Sequence, residues 1–145
     1  MMNSATSVLA IFAVFALALP EASARDPKGS PDFERSYSSA VSKAKSKGKP
    51  LVVIFTASWC GPCQNNKHNV YPSRSVKPYH DDFVWAYLDV DKKANKELAK
   101  AYGVRGIPHI EFVSPAGRRI DKSVGDMSAS RFASLLKSVL RRVYR

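Results

Sequence analysis

The chain has 145 residues and carries 23 Lys and Arg against 12 Asp and Glu, a formal charge of +11. That length favours a single domain. The charge favours acidic partners or anionic surfaces, but its residues are scattered as solvated helix faces and no nucleic-acid-binding motif accompanies them, so a nucleic-acid partner is not expected.

Val8 to Leu19 is an unbroken apolar run, followed by Ala22-Ser23-Ala24, a small-x-small cleavage site. This is the layout of a secretory signal peptide, and the run is too short for a membrane span, which needs about 20 apolar residues. Residues 1–24 are therefore expected to be a signal peptide and the protein to be exported, periplasmic or secreted. Residues 25–32 are polar with Pro and Gly and read as a flexible leader, ahead of a domain over 33–145.

From about Pro31 to Lys47 the pattern is helical: Phe33, Tyr37, Ala40, Val41 and Ala44 share one face. Gly48 is placed to cap that helix and Pro50 blocks its continuation. Leu51 to Ala57 is apolar and β-branched, a strand buried on both faces. Trp59 to Cys63 leads into a short helix ending near Val70, and Pro72 and Pro78 bracket an irregular connection. Phe83 to Val90 is a second buried strand, and Asp91 to Tyr102 has helical spacing at Ala94, Leu98, Ala101 and Tyr102. His109 to Val113 is a third strand. Ser114-Pro115-Ala116-Gly117 is turn chemistry, and Arg119 to Val124 fits the return strand of a hairpin. The last helix has one apolar stripe, Phe132, Leu135, Leu136, Val139, Leu140 and Val143, with Ser128 or Ser130 as N-cap. The order predicts an α/β domain, a mixed sheet with helices on both faces.

The two cysteines are Cys60 and Cys63. A loop that small gives a disulfide little stabilising leverage, so the pair points to chemistry. A Cys-x-x-Cys after a buried strand and opening a helix is a redox arrangement. The first Cys sits where unpaired N–H groups and the helix dipole favour a thiolate. The second, one turn later, is placed to resolve a mixed disulfide. Pro62 starts the helix with a pre-set φ, and Gly61 leaves room for a substrate backbone. A zinc site from Cys60, Cys63 and two of His68, His80 and His109 is the alternative, but no second ligand cluster exists; no metal and no cofactor is expected.

Trp59-Cys60-Gly61-Pro62-Cys63, with Phe55 and Ala57 before it and Gly103-Val104-Arg105-Gly106-Ile107-Pro108 after it, closely resembles thioredoxin, over about residues 33 to 143. Lys47-Gly48-Lys49-Pro50-Leu51, Thr56-Ala57-Ser58-Trp59 and Val70-Tyr71-Pro72-Ser73-Arg74-Ser75-Val76 resemble the secreted thioredoxin-like group, which includes the C-terminal periplasmic domain of the bacterial transmembrane disulfide reductase. The resemblance implies a thioredoxin fold, a cis-Pro108 facing the disulfide, and a substrate chain pairing with the backbone at Ile107, beside Trp59. It implies a thiol–disulfide oxidoreductase acting on protein disulfides. Gly61-Pro62 is similar to the reducing members, which suggests a reductase fed by a membrane-bound donor. An oxidant or isomerase is the near rival, and a non-redox binding module for acidic clients the distant one. The absence of heptads and of a spare cysteine points to a monomer.

The sequence departs from the family at four positions. Ile54 stands where thioredoxin buries an Asp, Tyr87 where it has a Lys, His68 where the helix carries a proline, and Lys67 where the periplasmic reductase domain has a second acid. Something else must then accept the Cys63 proton. His109 and Glu111 share one strand face, and either is a candidate base if that face lies under the active helix.

Overall fold

The computed structural model describes residues 25–145; the expected signal peptide lies outside the described residues. Five strands form one sheet: β1 (Phe33–Glu34), β2 (Leu51–Thr56), β3 (Val84–Asp89), β4 (His109–Val113) and β5 (Arg119–Val124), in the spatial order β1-β3-β2-β4-β5. The β1/β3 and β2/β3 pairs are parallel, and β2/β4 and β4/β5 are antiparallel. The helices are α1 (Tyr37–Lys47), α2 (Gly61–Asn65), which runs on into a π-helical turn (Asn66–Val70), α3 (Lys93–Tyr102) and α4 (Ala129–Val143). A short 3₁₀ helix, Lys77–Asp82, fills part of the connection expected to be irregular.

Strand β2 is the spine. All six of its residues are buried, as its apolar run requires of a central strand covered on both sides. Val52 and Ile54 point to one face, where they join Trp85, Tyr87, Ile110 and Phe112. Phe132, Leu136 and Val139 of α4 and Val70 and Tyr71 at the end of the π turn cover that face. Val53 and Phe55 point the other way, to Ala86, Leu88 and Val113, beneath Ala40 and Ala44 of α1 and Ala99 of α3. Fully burying each large apolar side chain contributes about 1.5–3 kcal/mol, so the two layers together hold α2 and α4 on one face and α1 and α3 on the other.

Caps fix the helix ends. Gly48, at φ 63°, closes α1 in the left-handed conformation that glycine adopts without a Cβ penalty. The Ser128 hydroxyl accepts the Arg131 N–H at the start of α4. The β4–β5 turn closes with Gly117 N–H donating to the Ser114 carbonyl.

The first helix starts later than its spacing suggests. Ser36 is its N-cap, accepting from the Ser39 N–H, and Phe33 lies outside it, paired with Trp85 as edge strand β1. The Phe33 ring packs against Tyr71, Trp85 and Tyr87, on the opposite sheet face from Ala40 and Ala44. Its four-residue step to Tyr37 imitates helical periodicity across a strand–helix junction. Residues 25–32 form no helix or strand. Asp26 within them is bonded to Arg35 and to Lys67, and Pro31 is buried.

Candidate active site

The site is assembled where β2 ends. The Cys60 N–H returns to the Ala57 carbonyl at 3.2 Å, a turn that puts Cys60 at the N-cap of α2 with Pro62 inside the first turn. The Gln64 side chain donates to the Ala57 carbonyl at 3.0 Å, tying helix to strand. Cys60 and Cys63 form a disulfide. The Cys63 N–H donates to Cys60 Sγ at 3.3 Å. A sulfur that accepts a backbone N–H at a helix start is favoured as thiolate once the disulfide is reduced. Cys63 is the more enclosed of the two, packed with Ala57 and flanked by Val90 and Ile107.

The Ile107–Pro108 bond is cis. The Ile107 carbonyl lies 3.7 Å from Cys60 Sγ. Pro108 itself is buried, while Gly61 and Pro62 are exposed. Trp59 is 68% exposed, held by its indole N–H donating to the Asp91 carboxylate at 2.9 Å. Between Trp59 and the Gly106–Ile107 backbone opens a groove of about 470 Å³. The structure thus brings Trp59, Cys60, Gly61, Pro62, Cys63, Ile107 and Pro108 to one end of the sheet.

It does not bring His109 and Glu111 beneath the active helix. Both are buried, and their face of β4 carries Val113, which packs in the layer under α1 and α3. His109 Nε2 lies 2.7 Å from Glu111 Oε1. The same carboxylate accepts two N–H groups from Arg119, whose guanidinium stacks 5.0 Å over the Tyr102 ring. Hydrogen bonding to Glu111 raises the Arg119 pKa. The expectation that either residue serves Cys63 as a base is corrected accordingly: with α2 on the Ile54 side, the sheet itself separates them from that thiol.

What does face α2 combines cations, the Tyr87 ring and the carboxylate of Asp89. A cavity of about 250 Å³ beside the helix is lined by Thr56, Gln64, Lys67, Tyr87 and Arg35, among others. The Tyr87 hydroxyl accepts from Thr56 at 3.2 Å, and burial pushes its pKa up. Lys67 and Arg35 sit 5.5 and 5.0 Å over its ring, and Asp26 bonds to both. Ile54, paired with Tyr87 and Ile110, lies in the apolar core on this face of the sheet. The sequence marked Ile54, Tyr87 and Lys67 singly, as departures from the family, but not their grouping with Arg35 and Asp26, because the members come from the leader, the β1–α1 junction, β2, the active helix and β3. The helix that carries His68 in place of a proline ends in a π turn. At the π turn the Tyr71 N–H reaches the Asn66 carbonyl at 3.0 Å, a wider bond that leaves His68 exposed and turns Asn66 and Lys67 inward. His68, His80 and His109 lie on separate elements, and among the described residues no group of three His, Cys, Asp or Glu is placed to hold a metal.

Residues 37–140 match the family model described as a thioredoxin-like domain. The chain belongs to that family. A protein disulfide-isomerase of Ricinus communis is 34% identical over 93 residues, covering 63% of this chain and 19% of that protein. The thiol:disulfide interchange protein DsbD of Vibrio cholerae is 33% identical over 84 residues, covering 57% of this chain and 14% of that protein. The chain thus spans less than a fifth of either relative. The solution structure of a thioredoxin from Thermus thermophilus is similar with a TM-score of 0.71 at 27% identity, covering 79% of this chain and 91% of that one.

Proposed function

We propose that the protein is an exported thiol–disulfide oxidoreductase that reduces disulfides of extracytoplasmic proteins. The observation that carries the reading is the Cys60–Cys63 disulfide at the start of α2, with Cys60 Sγ beside the carbonyl of Ile107, a residue that lines an open groove. In the reduced protein the Cys60 thiolate attacks one sulfur of a client disulfide, forming a mixed disulfide and expelling a client thiolate that takes up a proton. Cys63, deprotonated, attacks Cys60 Sγ. The second client thiolate leaves, and the Cys60–Cys63 disulfide closes. Two electrons have passed to the client, and a donor dithiol must restore the pair.

The Val8–Leu19 run and Ala22-Ser23-Ala24 support export to the periplasm or beyond. The likeness to DsbD supports a membrane-bound donor. Trp59, Gly61, Pro62, Ile107 and Pro108 are proposed as the support and client-contact residues. The likeness to a protein disulfide-isomerase favours a second reading, in which the same exchange runs toward oxidation or isomerisation. Client trapping tests the first: Cys63→Ser should accumulate mixed disulfides with exported proteins through Cys60, and Cys60→Ser should accumulate none. Equal trapping by both variants, or by neither, would sink the proposal.

A further inference from the structure

The groove lined by Trp59 and Ile107, both neighbours of Cys60, also carries basic side chains. Its far side is built by Lys96 and Lys100 of α3 and by Arg105, its near side by Trp59, Val90 and Ile107. All three cations are exposed. Lys100 is neutralised by Glu97 at 3.1 Å. Lys96 and Arg105 have no ion-pair partner among the described residues. The one carboxylate in the lining, Asp91, has an oxygen accepting the Trp59 indole N–H and faces the Trp59 side. Two cations without ion-pair partners therefore line the groove that Trp59 and Ile107 open next to Cys60.

We infer that the groove selects acidic clients, those with Asp or Glu within a few residues of the disulfide that Cys60 attacks. The inference rests on the exchange reading above and adds to it the class of client. Lys96 and Arg105 are its specificity-determining residues. A carboxylate entering the groove meets two cations without ion-pair partners, against the single carboxylate of Asp91 on the Trp59 side, whereas a lysine there meets net repulsion. The apolar floor of Val90 and Ile107 excludes water along one side, which lengthens the reach of the charges. The chain's overall positive charge draws acidic partners without distinguishing one disulfide from another; the groove adds the distinction at the reacting bond.

The test uses three otherwise identical peptides holding one disulfide flanked by Asp, Ser or Lys. The rate at which the reduced protein attacks each is followed at about 0.01 M and about 1 M salt, where the screening length falls roughly tenfold. The Asp peptide should react about tenfold faster than the Lys peptide at low salt, with Ser between them and the spread largely gone at high salt. The Lys96→Glu/Arg105→Glu double variant should invert the order. Lys137→Glu, at an exposed position of α4, changes net charge away from the groove and should keep it. Equal rates for the Asp and Lys peptides at low salt, or an order that survives the double variant, or one lost equally in Lys137→Glu, would overturn the inference while leaving exchange intact. Failure to attack any of the three peptides, the uncharged one included, would overturn the exchange reading and the inference with it.

Discussion

The ammonium of Lys67 lies 3.3 Å from the carboxylate of Asp26, so the segment ahead of the domain is latched to the helix that carries the cysteines. Lys67 follows Cys63 by four residues, and its side chain is only 10% exposed. Asp26 also accepts from Arg35, which spreads over the Phe33 and Tyr87 rings. Four parts of the chain distant in sequence thus meet behind the active site.

Replacing Asp26 with Asn removes the carboxylate from two cations, one of them nearly buried. The carboxylate itself is 29% exposed and Arg35 37%, so solvent screens much of the pair, and the expected loss is about 1 kcal/mol. A lower midpoint of urea unfolding with an unchanged slope reads this directly. An unchanged midpoint would mean that the latch adds no stability.

His109 and Glu111 give the opposite kind of prediction. Since the sheet separates them from α2, the resolving step in His109→Ala and Glu111→Gln should keep the wild-type rate and pH profile. Stability should respond instead. Glu111→Gln weakens a buried cluster by removing a charge that Arg119 and His109 share, at a cost of about 2 kcal/mol, reduced from that of a fully buried pair because Arg119 is 47% exposed. A displaced pH midpoint for resolution in either variant would restore the base role.

Much of the architecture was readable because local signals and burial agree. The apolar run Leu51–Thr56 is the buried central strand, Gly48 caps α1, and the stripe Phe132–Leu136–Val139 is the buried side of α4. The site's nucleus was readable too, since Pro62 and three-residue spacing put Cys60 at the cap and Cys63 in the first turn of one short helix. The limits were topological. Period-two alternation correctly put His109 and Glu111 on one side of β4, yet which side faces α2 depends on how the strands are ordered in space. Phe33 sat at a helical step from Tyr37 but belongs to β1, a choice made by pairing with Trp85. The Asp26–Lys67 contact joins residues 41 apart in sequence and left no local trace.

The acid limb of stability has an assignable contributor. Hydrogen bonds from Lys43, then Ser39, hold the Glu34 carboxyl below its ordinary pKa of 4.5. Its contribution is therefore complete above that value and disappears as pH falls through the lower folded value. The stability gap between wild type and Glu34→Gln should be flat above pH 4.5 and close below it. Denaturation midpoints collected across that range check this; a gap that widens on acidification would reverse the sign.

Alkylation distinguishes the two thiols. In the disulfide form a backbone N–H already points at the Cys60 sulfur, and Cys60 is 5% exposed against 1% for Cys63. Limiting iodoacetamide below about pH 8 should label Cys60 first, since an unperturbed thiol titrates near 8.5. Mass mapping that finds Cys63 labelled first, or both equally, would reverse the assignment of nucleophile and resolver.

The central claim, that Cys60 and Cys63 form a reducing pair, is tested most directly by their reduction potential, measured by equilibrating the protein with defined dithiol and disulfide buffers. The account predicts a value in the range of reducing members, about −270 mV, so that electrons flow from the pair to client disulfides. A value near −120 to −180 mV would make the pair an oxidant or isomerase and contradict the reductase assignment.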